Sequence, residues 1–481
     1  MKRLIAMLLL LMTLTASASA ETLRLYQVIL RDDFTAEHPG VDILTNYTDE
    51  GGFSYGTMEL YNALLGGTFD WDVFETWTHE TDIRLLMKKG YLLDLSSSGI
   101  VRDYIARLYP DVAAQCVYDG KIYAVPMGLW DQSAPKMVWP EKWQEVGYTE
   151  ADVPQTYGEY LNFIDAWLDR REDDPNLTLN VFAYFTPFEY NIHSYSAVLV
   201  DELLESHIAQ LVYAGQPLSF SDPDLPDLLE QAKAVGERIF RYEPTKTETN
   251  SNYGLFGLTN LAFSERAPWQ ANLRIHEEQP LLTPHFLTMT CVYAGTENPE
   301  LAIAALESSL LQYLSEDVHA SRIAMMCADS QPVRNPSFDS QMRLTQNFIA
   351  MCEHQLAGDD TPYTEYVDMT DLDEYQSTVA YWAAELPGMT EADVRDRLAR
   401  QLESAEFFKK YQEYTVSPDF LAAWRQYGQH LYFPGPNIFT AEEGYENFTR
   451  LKRQFVDGAI DAKQLITELD RIAWMMQMEK Q

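Results

Sequence analysis

The chain has 481 residues, of which 46% are hydrophobic, 13% aromatic and 22% charged. This globular composition suits about two to four domains or lobes and excludes global disorder. Asp and Glu number 73 against 35 Lys and Arg, for a formal net charge of −38. Nucleic acid and anionic lipid would be repelled by that excess; a neutral or cationic ligand suits it.

Lys2 and Arg3 precede the apolar run Leu4–Leu14, and Ala18-Ser19-Ala20 follows it. A charged start, a short apolar core and a small-residue exit predict a secretory signal peptide cleaved after Ala20. The protein is therefore expected outside the cytoplasm, periplasmic, secreted or at the cell surface. Glu21 stands where a lipoprotein would carry its Cys, so no lipid anchor is expected. No later stretch approaches eighteen uninterrupted apolar residues, so no membrane insertion is expected after cleavage. The four cysteines, Cys116, Cys291, Cys327 and Cys352, are widely spaced. They allow three full disulfide pairings or free buried thiols, and spacing does not choose.

In chain order, Leu25, Val28, Ile29 and Phe34 predict a helix over 26–38, ended by Pro39-Gly40. Val41–Leu44 reads as a strand, 55–65 as a helix, Asp72-Val73-Phe74 as a short buried strand, and 79–89 as a helix closed by Gly90. Strand and helix in alternation predict βαβ units and a largely parallel sheet. Gly120–Pro126 reads as a turn and then a strand. Helices are predicted over 156–169, 195–213 and 224–241. Thr245–Tyr253 reads as a loop. Asn298-Pro299 opens a helix with the apolar stripe Leu301, Ala302, Ala305, Leu306, Leu310 and Leu311. Beyond Asp339 the pattern is almost wholly helical. Thr149-Glu150-Ala151-Asp152 and Thr390-Glu391-Ala392-Asp393 read as two capped helix starts rather than a repeat. No Gly/Ser or Pro linker divides the chain, which predicts interwoven lobes.

Four stretches fall in a familiar order. Phe34-Thr35-Ala36-Glu37-His38-Pro39-Gly40-Val41 resembles an "F-x-x-x-H-P" helix end before a strand. Gly67-Thr68-Phe69-Asp70-Trp71-Asp72-Val73, then Gly90-Tyr91-Leu92-Leu93-Asp94-Leu95, resembles "G-x-x-x-D-V … G-x-L-x-D-L". Tyr118-Asp119-Gly120-Lys121-Ile122-Tyr123-Ala124-Val125-Pro126 resembles "D-G-K-x-Y-x-x-P", and Glu297-Asn298-Pro299-Glu300-Leu301-Ala302 resembles "N-P-E-x-A". Together, behind a signal peptide, they resemble the extracellular solute-binding proteins of family 1, the sugar-binding components of ABC importers.

The resemblance implies an α/β fold: a two-lobed periplasmic-binding-protein type II-like (Venus-flytrap) architecture with a helical C-terminal region. It implies a first lobe of 21–126 plus 283–334 and a second of 127–282 plus 335–481. It implies a monomer that captures a carbohydrate, most simply an oligosaccharide, and hands it to a membrane ABC permease, with no cofactor and no catalysis. In one respect the chain departs from the family. Only about a dozen residues separate Ala20 from Phe34, so the first strand is expected to be shortened, absent or merged into the helix, and its ligand-facing loop missing.

A sugar needs flat apolar partners for its C–H faces and paired partners for its hydroxyls, because a buried unpaired hydroxyl costs roughly 1–3 kcal/mol. In open α/β sheets ligands gather at the carboxyl ends of strands. Trp77, His79 and Glu80 follow the Asp72-Val73-Phe74 strand, and Trp130 and Asp131 follow Pro126. Trp269 lies in a stretch resembling the family's second-lobe ligand loop. Trp77, Trp130 and Trp269 are expected to stack; Asp131, Glu80 and His79 to hydrogen-bond; and Tyr190 and Tyr253, with Tyr184, to offer further rings. Asp49-Glu50 reads as a solvated loop.

The alternative is a secreted glycoside hydrolase or another carbohydrate-active enzyme. A hydrolase needs two carboxylates ~5–10 Å apart, and no motif singles out a pair. No His-based metal motif occurs among nine His, and Asp368, Asp371 and Asp373 lack the remaining features of a calcium loop. Gly52-Phe53-Ser54-Tyr55-Gly56 matches G-x-S-x-G, but no strand runs straight into it, so it reads as a loop.

Overall fold

The computed structural model describes residues 21–46, 57–131, 136–174, 176–177, 179–183, 192–242, 254–257, 269–271, 273–428, 431–435 and 442–479. The signal segment, Asp49-Glu50, the G-x-S-x-G match, the 245–253 loop, Tyr184, Tyr190 and Tyr253 lie outside them.

The strands are β1 (Glu21–Tyr26), β2 (Val41–Thr45), β3 (Val73–Trp77), β4 (Val117–Tyr118), β5 (Lys121–Ile122), β6 (Ala124–Asp131), β7 (Lys136–Val138), β8 (Asn180–Ala183), β9 (Gly254–Gly257), β10 (Trp269–Ala271), β11 (Thr283–Val292), β12 (Val333–Arg334), β13 (Tyr414–Val416) and β14 (Leu431–Tyr432). Two sheets dominate. The larger has the order β14-β11-β3-β1-β2, with β6 also paired to β11; the smaller has the order β10-β7-β9-β8. β1 is parallel to β2 and β3, whereas β11 is antiparallel to β3 and β6. The chain passes from the larger sheet to the smaller between β6 and β7 and returns between β10 and β11. Two sheets between which the chain crosses and returns fit the two-lobed fold that the family resemblance implies.

The N-terminal expectation is corrected. Residues 26–38 are not a helix: only Phe34–Glu37 is helical, and Glu21–Tyr26 is a full strand between β2 and β3. Leu23 and Leu25 alternate into the core as a strand requires, while Ile29 stays half exposed. The apolar spacing from Leu25 to Phe34 mimicked a helical stripe because two elements contribute to it. The loop after β1 is also present. Gln27 turns it with a positive φ of 56°, and its N–H donates to Asn46 Oδ1 at 2.9 Å.

Three of the four family-like stretches have a structural reason that follows from their hydrogen bonds and turns. The buried Asp72 carboxylate accepts the Arg24 N–H at 2.8 Å and the Thr296 hydroxyl at 2.6 Å, tying β1 to the turn after β11. Asp82 caps the helix Ile83–Lys89, and Gly90 closes it at φ 75°. Asp119 and Gly120 both take positive φ between β4 and β5, which a tight hairpin turn requires. Pro299 occupies the first turn of the helix Pro299–Ser315. Thr149 forms a capping box with Asp152, and Thr390 caps through the Asp393 N–H, so both read as helix starts.

Around the smaller sheet, Trp143, Tyr160, Trp167, Phe220 and Phe256 form a core closed by the helices Ser194–Tyr213, Leu225–Tyr242 and Ala462–Glu479. Both sheets belong to one compact unit. A second, comprising Asp317–Ala324 and Ser330–Trp424, is built on the helices Phe338–Ala357, Gln376–Glu385 and Glu391–Tyr411. Its own core holds Phe348, Met351, Cys352, Val379, Leu386 and Val394. All four cysteines are free and buried. Burial raises the Cys327 thiol to about 11 and pushes Cys116, Cys291 and Cys352 upward too. No described helix is long and apolar enough to cross a membrane.

Candidate functional site

β6 and β3 flank β11 and run parallel to each other, so their carboxyl ends reach the same edge of the larger sheet as the carboxyl end of β1. Register then selects one face. Trp77 stands opposite Thr288, Glu75 opposite Thr290, Trp130 opposite Phe286 and Gly128 opposite Thr288. Side chains alternate along a strand, so Glu75, Trp77, Gly128, Trp130, Phe286 and Thr288 share a face. The opposite face carries Phe74, Leu287 and Leu129 into the core.

The rings form a continuous run. Trp77 and His79 stack with centroids 5.6 Å apart and planes 16° from parallel. His79 lies 4.0 Å from Phe286, and Phe286 stacks against Trp130 at 6.4 Å and 15°. The Trp130 Nε1–H donates to Thr288 Oγ1 at 2.8 Å, which sets the indole. The Thr78 N–H donates to the Leu287 carbonyl at 3.0 Å, and its hydroxyl accepts the Leu287 N–H at 2.9 Å, locking the end of β3 to β11.

Beside these rings is a small pocket lined by Tyr26, Gln27, Leu60, Glu75, Thr76, Trp77 and Glu80, with room for about one water-sized group. Its electrostatics are set by burial. Desolvation raises the Glu75 carboxyl to about 7 and raises Glu80 as well, because the ionised form loses its water. Desolvation lowers the adjacent His79 to about 4. His79 Nε2 lies 3.7 Å from Glu80 Oε1, yet the imidazole is neutral near pH 7 and gives Glu80 no cation. Its buried Nδ1 has no hydrogen-bond partner among the described residues. Glu75 likewise has no hydrogen bond or ion pair among the described residues. A half-buried, desolvated carboxyl without a partner is costly and is the kind of group a ligand can satisfy.

No family model matches the chain, and no curated protein matches it. Solved structures do. The chain is similar in structure to substrate-binding proteins. A chitin oligosaccharide binding protein is 10% identical, with a TM-score of 0.49, over 95% of this chain and 98% of that one. An ABC substrate-binding protein from Listeria monocytogenes, solved in complex with cycloalternan, is 13% identical with a TM-score of 0.45, over 95% and 98%. The sugar-binding protein MalE from Xanthomonas citri is 14% identical with a TM-score of 0.45, over 95% and 98%.

The residues named from sequence take distinct places. Trp77, His79, Glu80 and Trp130 come together at the sheet edge. Asp131 ends β6 opposite His285. Trp269 is on β10, opposite Val138, and packs partly buried against the core of the smaller sheet. Sequence reasoning missed Glu75, Phe286, Gln27 and Tyr26. Glu75 had left a signal: it is the one charged residue inside Val73–Trp77. Phe286 had left none, since strand pairing across about 150 residues brings it beside Trp130.

A second cluster is formed by Asp222, Asp224 and His276, whose ligand-type atoms lie within 4.8 Å of one another. His276 faces Asp222 through Nε2 at 2.8 Å and Asp224 through Nδ1 at 3.6 Å. Both imidazole nitrogens are thus turned to carboxylates, and hydrogen bonding to Asp222 raises the His276 pKa. This is the chemistry of an ion pair. Asp368 and Asp371 both pair with Arg343.

Proposed function

We propose that the chain is an extracytoplasmic solute-binding protein that captures a carbohydrate and delivers it unaltered to an ABC permease. One observation carries this: a sheet face at the carboxyl edge gathers the flat rings Trp77, Phe286 and Trp130 with Glu75, beside a pocket that Gln27, Thr76 and Glu80 also line. Rings cover the C–H faces of a sugar, and carboxyls and amides pair with its hydroxyls. The family-like stretches support the same reading, as does the shared placement of Trp77 and Trp130. The halves that would close on the ligand are 21–126 with 283–334 and 127–282 with 335–481. Trp269, Asp131, Tyr190 and Tyr253 are proposed contacts from the second half and the crossing. Ligand bound to both halves would favour the closed state by its differential affinity for it.

A thermal-shift screen of the mature chain against an oligosaccharide panel tests the proposal, since a ligand of the native state raises Tm as its concentration grows. A shift with peptides and none with carbohydrates would refute the ligand class. Two carboxyls lining one pocket, one of them raised to about 7, are also what a glycoside hydrolase needs. Mass spectrometry of the recovered ligand separates the two readings: capture returns it intact, hydrolysis returns it cut.

A further inference from the structure

We propose that the ligand presents a protonated amine to Glu75 and Glu80, so that the carbohydrate captured is an amino sugar or its oligomer rather than a neutral sugar. The inference rests on the carbohydrate reading above and deepens it. Three features of the pocket lead to it.

The first is charge without compensation. Glu75 on β3 and Glu80 just beyond it line one pocket, and among the described residues no Lys or Arg pairs with either. The groups facing them are the Tyr26 ring, the Gln27 amide, the Thr76 hydroxyl, the Trp77 indole and the His79 imidazole. Thr76 Oγ1 is already engaged with Thr81 Oγ1 at 2.7 Å. His79, the one basic side chain at hand, is held neutral by its burial. The compensating charge must come from a proton or from a ligand.

The second is size. The pocket admits about one water-sized group, which excludes a pyranose ring and suits an ammonium head. The sugar ring would remain outside, against the indoles, with the amine as its inserted tip. The third is the wall. Trp77 lines the pocket as well as the ring run, and an aromatic face attracts a cation while covering the apolar face of a sugar. An ammonium donates up to three hydrogen bonds, and charge-assisted bonds to carboxylates are roughly twice as strong as neutral ones.

The test is calorimetry of the full mature chain with matched oligosaccharides: glucosamine oligomers, their N-acetylated forms, and glucose and galactose oligomers of equal length. The glucosamine form is expected to bind about tenfold tighter than its N-acetylated match at about pH 7.5. That preference should shrink by about pH 5.5, where Glu75 is protonated, and should weaken with added salt. Glu75→Gln should abolish the preference, and Glu75→Asp should retain part of it. The wild-type comparison needs no variant, so a folding defect cannot mask the answer. Equal or tighter binding of neutral or N-acetylated forms at both pH values overturns the amine inference and leaves carbohydrate capture standing. Failure of every carbohydrate to bind overturns both.

Discussion

Trp130 donates its indole N–H to Thr288 Oγ1 at 2.8 Å, across the β6–β11 pair. The neighbouring Gly128 leaves the indole its space: a Cβ there would stand 2.8 Å from Trp130 Nε1 and 3.3 Å from Thr288 Oγ1. Gly128→Ala should therefore displace the indole from its present position. The expected result is at least about a fivefold loss of carbohydrate affinity with a fall in stability of about 1–2 kcal/mol. Calorimetry and urea denaturation check the two. Thr288→Val, which removes the acceptor and keeps the shape, should cost about 1 kcal/mol.

Trp77 and Trp269 should respond differently to truncation. Trp77→Ala removes a ring from the half-buried run and should weaken a sugar ligand by about 1 kcal/mol or more. Trp269 packs against the core of the smaller sheet, so Trp269→Ala should lower stability by about 1–3 kcal/mol even without ligand. Paired melting and binding measurements separate the roles; a Trp269 variant that melts lower yet binds normally would remove that ring from the proposed contacts.

The pH dependence of stability should carry a mark of Glu75. Its folded pKa of about 7 exceeds the ordinary value of 4.5, so the native state holds its proton longer than the unfolded chain. Stability from this group is complete below about pH 4.5 and falls as pH rises through about 7. His79, lowered to about 4, acts oppositely: its stabilising share is present above the unfolded value of 6.5 and is lost as pH falls toward 4. The two slopes oppose between about 4.5 and 6.5. Glu75→Gln isolates one of them, and its gain over wild type should grow from pH 5 to pH 8 toward roughly 1–3 kcal/mol. A pH-independent difference in urea midpoints would refute the assignment.

Gly236 lets the helices Ser194–Tyr213 and Leu225–Tyr242 approach backbone to backbone at Ser196. A Cβ there would lie 2.3 Å from the Ser196 backbone nitrogen and 2.5 Å from its Cα, neither of which can swing aside. Gly236→Ala should destabilise by about 2–3 kcal/mol, seen as a drop of several degrees in Tm, despite the better helix propensity of Ala.

The sequence by itself determined the alternation of strands and helices, the capped starts at Thr149 and Thr390, the glycine stop at Gly90, and the grouping of Trp77, His79, Glu80 and Trp130 near strand ends, although Trp77 and Trp130 lie within the strands and not after them. Each is local: propensity, capping and turn geometry act within a few residues. It failed at Glu21–Tyr26, where a strand and a short helix together imitated one helical stripe. Only the tertiary structure decided that Trp130 meets Phe286, that Thr288 holds the indole, and that Glu75 keeps a proton to about pH 7. Those outcomes depend on strand register between distant segments and on the water that packing removes, and neither is written in any short window of residues.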